Sequence, residues 1–159
     1  MKILALDQST KVTGWSQWNK NELLKYGIVS SNIKENNPLK RMRKMYDEVG
    51  ILINVKKPDF VVLEEVQFQN NYRTFSQLSQ MQGVLFGLLF ERNIGFTCVE
   101  ATAWKRTFEV KGKNRAEQKA SAIQRVKEVY GVSASEDEAD AIGIGVWAVK
   151  NLEIKGGGI

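Results

Sequence analysis

Residues 2–10, KILALDQST, are the stretch around which the rest of the chain is organised. Ile3-Leu4-Ala5-Leu6 is a nearly continuous apolar run, and it ends abruptly on a carboxylate, Asp7. Such a run fits a strand buried on both faces inside a parallel or mixed sheet. An acid at the carboxyl end of that kind of strand stands where open α/β folds place ligands and chemistry. Asp7 followed by Gln8-Ser9-Thr10 also suits an ordinary turn, because these side chains readily hydrogen-bond the nearby backbone. Taken alone, the stretch leaves both readings open.

The pattern recurs further on. Val12 to Trp18 and Leu23 to Ser30 predict two more strands joined by a hairpin at Asn19-Lys20-Asn21, so the chain opens as a β-meander. Asn36-Asn37-Pro38 offers a cap and a first-turn proline for a helix. The apolar face of that helix is Leu39, Met42, Met45, Tyr46, Val49, Leu52 and Ile53; Lys40, Arg41, Arg43, Lys44 and Asp47 form its solvated face. After Lys57-Pro58-Asp59 comes Phe60-Val61-Val62-Leu63-Glu64-Glu65, a second apolar run ending in acid. A right-handed crossover through the helix brings it parallel to the first strand, so Asp7 meets one of the two glutamates at one sheet edge.

Gln67 to Arg73 reads as a polar and aromatic loop. A long helix follows, lined by Phe75, Leu78, Met81, Leu85, Leu88 and Leu89, with Gly83 and Gly87 predicted to admit a close neighbour. Ile94 to Glu100 is a short strand, Thr102 to Phe108 a helical turn, and Lys111-Gly112-Lys113-Asn114-Arg115 a basic loop. Helices are expected over about 116–130 and 135–152. The expected organisation is one α/β domain over residues 1–152 with a flexible tail at 153–159.

Composition narrows the chemistry. The chain has no histidine, which removes Ser-His-Asp and Cys-His catalysis, HExxH sites and mixed Cys/His zinc sites. The lone Cys98 permits no internal disulfide and fits a reducing cytoplasm, and no leader or membrane-length apolar run is seen. A net charge of +5 favours anionic partners such as nucleic acid.

The last helix opens with Ser135-Glu136-Asp137-Glu138-Ala139-Asp140. Acids in a first turn offset the helix dipole, which accounts for most of this run. It does not account for Asp140, which stands where the helix turns apolar and small (Ala141-Ile142-Gly143-Ile144) and shares a face with Asp137. The candidate set is therefore Asp7, Glu64 or Glu65, Asp137 and Asp140. Carboxylates that close together repel unless hard divalent cations lie between them, and Mg²⁺ or Mn²⁺ suits oxygen ligands. Two such ions about 3.5–4 Å apart are the device that cleaves phosphodiesters by in-line attack of water.

LALDQSTKVTGW, PDFVVLEEVQF, the QLSQMQGV helix, AWKRTF…AEQK and EDEADAIGIG, in that order and spacing, resemble the RuvC Holliday junction resolvases over roughly residues 1–150. The divergence resembles a bacteriophage-encoded version. The resemblance implies an RNase H-like fold, with a mixed five-stranded sheet flanked by helices. It implies a cytoplasmic homodimer that makes paired nicks in four-way junction DNA during recombination and repair, using two Mg²⁺ ions per site with Mn²⁺ able to substitute. The family's four acids fall on Asp7, Glu64, Asp137 and Asp140, the spacing from Pro58-Asp59 selecting Glu64 over Glu65. Lys119 falls, offset by one, near a catalytic basic position, and Lys105 near another that touches DNA. Phe68, one residue later than the family's junction wedge, joins Arg73, Lys111, Lys113 and Arg115 as expected DNA contacts. The family's strand acid is usually followed by Gln rather than Glu65, and its glycine-rich loop is replaced here by the basic 111–115 loop. The rival readings are a sugar-kinase or actin-like ATPase, which needs two related domains that 159 residues cannot supply, another RNase H-like nuclease acting on RNA–DNA hybrids or flaps, and a junction-bending protein without cleavage.

Overall fold

The computed structural model describes residues 1–31 and 34–152. The tail expected at 153–159 lies outside them. Strand β1 (Lys2–Asp7) pairs antiparallel with β2 (Val12–Asn19), which pairs antiparallel with β3 (Glu22–Ser30). Lys20, at φ 51°, makes the tight turn between β2 and β3. Helix α1 (Pro38–Lys56) then carries the chain across to β4 (Phe60–Glu64), which lies parallel to β1. Helix α2 (Tyr72–Glu91) leads to β5 (Gly95–Val99), parallel to β4. Helices α3 (Ala101–Thr107), α4 (Arg115–Tyr130) and α5 (Glu136–Leu152) complete the chain. The sheet order is β3-β2-β1-β4-β5, the mixed five-stranded sheet that the opening meander and the crossover predict.

The sheet is buried on both sides because its central strands are apolar on both faces. Ile3, Ala5 and Val62 point toward α3, α4 and α5, together with Trp18, Trp104 and Ile142. Leu4, Leu6, Val61 and Leu63 point the other way, onto Met42, Met45, Leu85 and Leu88 of α1 and α2. Helix α5 presses on the sheet most closely, and its small residues allow this. A Cβ on Gly145 would enter the Trp18 indole and the Ser16 hydroxyl, and one on Gly14 of β2 would strike the backbone of Asp137. The α5 N-terminus is thus held against the strand that pairs with Asp7.

Several element ends follow from local chemistry. The Asn37 side chain accepts from Leu39 and Lys40 N–H at the start of α1, and Lys57 closes that helix in the left-handed region. Ser135 and Glu138 form a reciprocal capping box on α5: the Ser135 hydroxyl accepts from Glu138 N–H and the Glu138 carboxylate from Ser135 N–H.

Three expectations are corrected. Tyr72 and Arg73 belong to the first turn of α2, capped by Asn71, so the loop after β4 is shorter than the polar composition of residues 67–73 implies. In α1, Leu39 is 71% exposed while Arg41, assigned to the solvated face, is only 7% exposed. Its guanidinium donates to the carbonyls of Glu35 and Asn36 and to Gln77 Oε1, so it ties down the chain entering the helix. Gly83 and Gly87 face open space, and nothing described within the chain approaches them.

Candidate active site

Parallel register sets the first pair of acids. Leu6 lies beside Leu63, so the next residues, Asp7 and Glu64, end neighbouring strands side by side. Strand alternation turns both toward α5, the side taken by Ile3, Ala5 and Val62. Glu65 has the opposite parity. It is exposed, and its charge acts on the Cys98 thiol rather than on Asp7. Asp137 and Asp140 come to the same place from the first two turns of α5. All four acids line a pocket of about 550 Å³, and the exposed Glu65 belongs to the same lining.

The electrostatics show how strained this gathering is. Burial, and then the charges of Glu64, Asp140 and Asp137, push the Asp7 carboxyl well above the usual aspartate range, while Lys119 opposes the rise. Burial and Glu64 raise Asp140 to about 6, against the pull of Lys105 and Lys119. Asp137 and Glu64 are also raised, chiefly by burial, with Lys119 lowering the first and the Trp104 N–H, Lys105 and Arg115 lowering the second.

As the side chains stand, no three acids among the described residues are drawn tightly enough together to enclose a cation. Glu64 is turned to the Trp104 indole instead, with its Oε2 accepting at 2.5 Å. The donor set nevertheless fits a hard divalent cation: it is all carboxylate, it sits in one pocket, and Asp7 feels the charge of three acidic neighbours that Lys119 only partly offsets.

The basic candidates divide. Lys105, Lys113, Arg115 and Lys119 line the same pocket as the acids. Lys105 Nζ bonds to Gln118 Oε1 at 3.1 Å, and Lys119 is ion-paired with Glu136. Arg115 is the first residue of α4 rather than a loop residue. Lys111, Arg73 and Phe68 do not line the pocket. Phe68 stands exposed just outside it and meets the pocket residue Phe75 edge-on at 5.6 Å.

Sequence reasoning missed two residues here. Trp104 is fully buried, and a tryptophan inside the short, otherwise polar α3 was the available signal. Gln8 lines the pocket with both amide atoms buried and unpartnered among the described residues. The rest of its turn is satisfied, with Ser9 Oγ accepting from Lys11 and Val12 N–H.

Comparison with known proteins supplies the lineage. The family model for crossover junction endodeoxyribonuclease RuvC matches residues 3–148. The chain belongs to the RuvC family. Similar curated relatives are the RuvC of Fusobacterium nucleatum, 24% identical over 98% of this chain and 83% of its own, and that of Campylobacter concisus, 27% identical over 97% and 99%. Among solved structures, T. thermophilus RuvC in complex with a Holliday junction substrate superposes with a TM-score of 0.79, at 15% identity over 97% of this chain and 96% of that one. The yeast mitochondrial resolvase Ydc2 gives 0.65 at 15% identity, over 97% and 80%. These likenesses show the RNase H-like fold. Family membership makes the chain an endodeoxyribonuclease, of a family that resolves Holliday junctions and depends on divalent metal.

Proposed function

We propose that the protein is a homodimeric, Mg²⁺-dependent endonuclease that resolves four-way DNA junctions by paired nicks. The observation that carries this reading is the pocket itself: four carboxylates from two strand ends and one helix start, in a lining shared with four cations. Asp7, Glu64, Asp137 and Asp140 would hold two divalent ions. When bound, such ions generate a nucleophile from water and neutralise charge on the scissile phosphate and its leaving 3′ oxygen.

The chain's own residues do the rest. Lys105 and Lys119 moderate the acid charge and offer positive potential to the phosphate about to be cut. Lys113 and Arg115 hold neighbouring phosphates at the pocket rim, and Arg73 and Lys111 extend the basic surface outward. Phe68, exposed and braced by Phe75, presents an aromatic face to unstacked bases at the junction centre. The open face of α2, with Gly83 and Gly87 beside exposed Val84 and Phe90, would seat the second copy. Its glycines permit close helix approach. A divergent, phage-borne branch is part of the same proposal; identity to the bacterial relatives is 22–28%. The site of action is the cytoplasm of a bacterial host. Among the described residues no helix is long and apolar enough to cross a membrane.

The test is cleavage of a synthetic four-way junction beside a fork, a flap, an RNA–DNA hybrid and linear duplex, each with and without Mg²⁺. Junction cutting that needs Mg²⁺ and exceeds duplex cutting by orders of magnitude is expected. Equal cutting of duplex and junction, or preference for the hybrid, would overturn the reading.

A further inference from the structure

The Glu64 carboxylate is the only one of the four pocket acids whose side chain accepts a hydrogen bond from a neutral donor among the described residues. The donor, Trp104 Nε1, is part of a side chain with no solvent exposure. Packing decides where its N–H points. The ring lies against α5, where a Cβ on Gly143 would stand 2.6 Å from ring atom Cζ3 and 3.2 Å from Phe108. The glycine therefore makes room for the indole at this place against α5. A buried indole N–H is a donor with no accepting capacity, and it needs a partner. Here that partner is a pocket acid rather than a backbone carbonyl. The backbone that carries this side chain is held separately, because the Glu64 main-chain carbonyl accepts from Gln82 Nε2 at 2.9 Å.

We propose that Trp104 is a positioning residue for the metal site: it takes up Oε2 of Glu64 and leaves Oε1 as the single oxygen presented to a cation. This rests on the reading of Glu64 as a metal ligand. A neutral donor suits the task better than a lysine would. It orients the carboxylate and favours its charged form without cancelling the charge that attracts the ion. The next residue, Lys105, supplies positive charge separately, with Nζ held 5.6 Å from the Trp104 ring and bonded to Gln118. One turn of α3 thus delivers an orienting donor to the acid and a cation to the phosphate side.

The test is a Trp104→Phe protein, which keeps an aromatic ring against Gly143 and loses the N–H. Mn²⁺ binding to DNA-free protein, followed by calorimetry, should weaken about tenfold or more, the usual consequence of removing a hydrogen bond to a metal ligand. Its circular dichroism should stay that of the parent, which a merely structural role would not predict together with lost affinity. A second measurement needs no variant: in the unmodified protein, the indole N–H resonance of Trp104, one of four tryptophans, should shift on Mg²⁺ titration as its acceptor takes up the ion. Parent-like Mn²⁺ affinity in Trp104→Phe, or an indole resonance that ignores saturating Mg²⁺, overturns the inference alone. Absence of Mn²⁺ binding in the unmodified protein overturns it together with the metal reading.

Discussion

At the scale of single residues, the site stores unfavourable energy. Asp140 has a folded-state pKa of about 6 against an ordinary value of 3.8. The folded protein therefore binds this proton more tightly than the unfolded chain, and its stability falls as pH rises from about 4 to 6. Above that window the penalty is full, on the order of 3 kcal/mol for a shift of this size. Asp140→Asn should accordingly raise the urea stability of metal-free protein at pH 7 by about 1–3 kcal/mol. Near pH 3.5 the gain should vanish. An equal gain at both pH values would assign the effect to packing rather than charge. Glu64 and Glu65 make the sharper comparison. Glu64 faces Asp7 and Glu65 does not, so Glu64→Gln should cut junction cleavage at least about a hundredfold and Glu65→Gln only a few-fold. The reverse order, measured under single-turnover conditions, would move the ligand to Glu65. These residues were legible because an acid ending an apolar run is rare in a strand. The Trp104 contact was not, since it depends on a close approach between α3 and β4 that no local pattern encodes.

At the scale of elements, α5 decides how the acids meet the strands. Its small residues are legible as a stripe, and the reason appears only in the packing, where Gly145 sits over Trp18 and Ser16. Gly145→Ala should cost about 1–3 kcal/mol, because the indole and hydroxyl it would strike are fully buried, and should lower the thermal midpoint. Unchanged stability would mean that α5 can lift without loss. The same kind of pattern in α2, Gly83 and Gly87, turns out to face outward, so glycine spacing alone does not say which side is covered. Arg41 shows a related limit. Helical periodicity places it with the lysines, yet carbonyls left over from the chain entering α1 draw it inside. Strand order was the most legible feature, because a meander followed by a right-handed crossover leaves few alternatives.

At the scale of the whole molecule, the proposed dimeric nuclease draws on four parts: an acid pocket on the α5 side of the sheet, cationic side chains in its lining, an exposed Phe68 beyond, and one open face of α2. Of the cations behind the net charge of +5, Lys105, Lys113, Arg115 and Lys119 gather in the pocket lining beside the acids. If α2 seats the second copy, Gly87→Leu should convert a dimer to a monomer in sedimentation while leaving the fold intact. A dimer that survived would place the interface elsewhere. The most direct measurement uses a supercoiled plasmid that extrudes a single cruciform. With Mg²⁺ the protein should cut both opposed strands within one bound complex and yield linear DNA, and Asp7→Asn should yield none. Accumulation of nicked circles without linear product, or full cleavage by Asp7→Asn, would contradict the account.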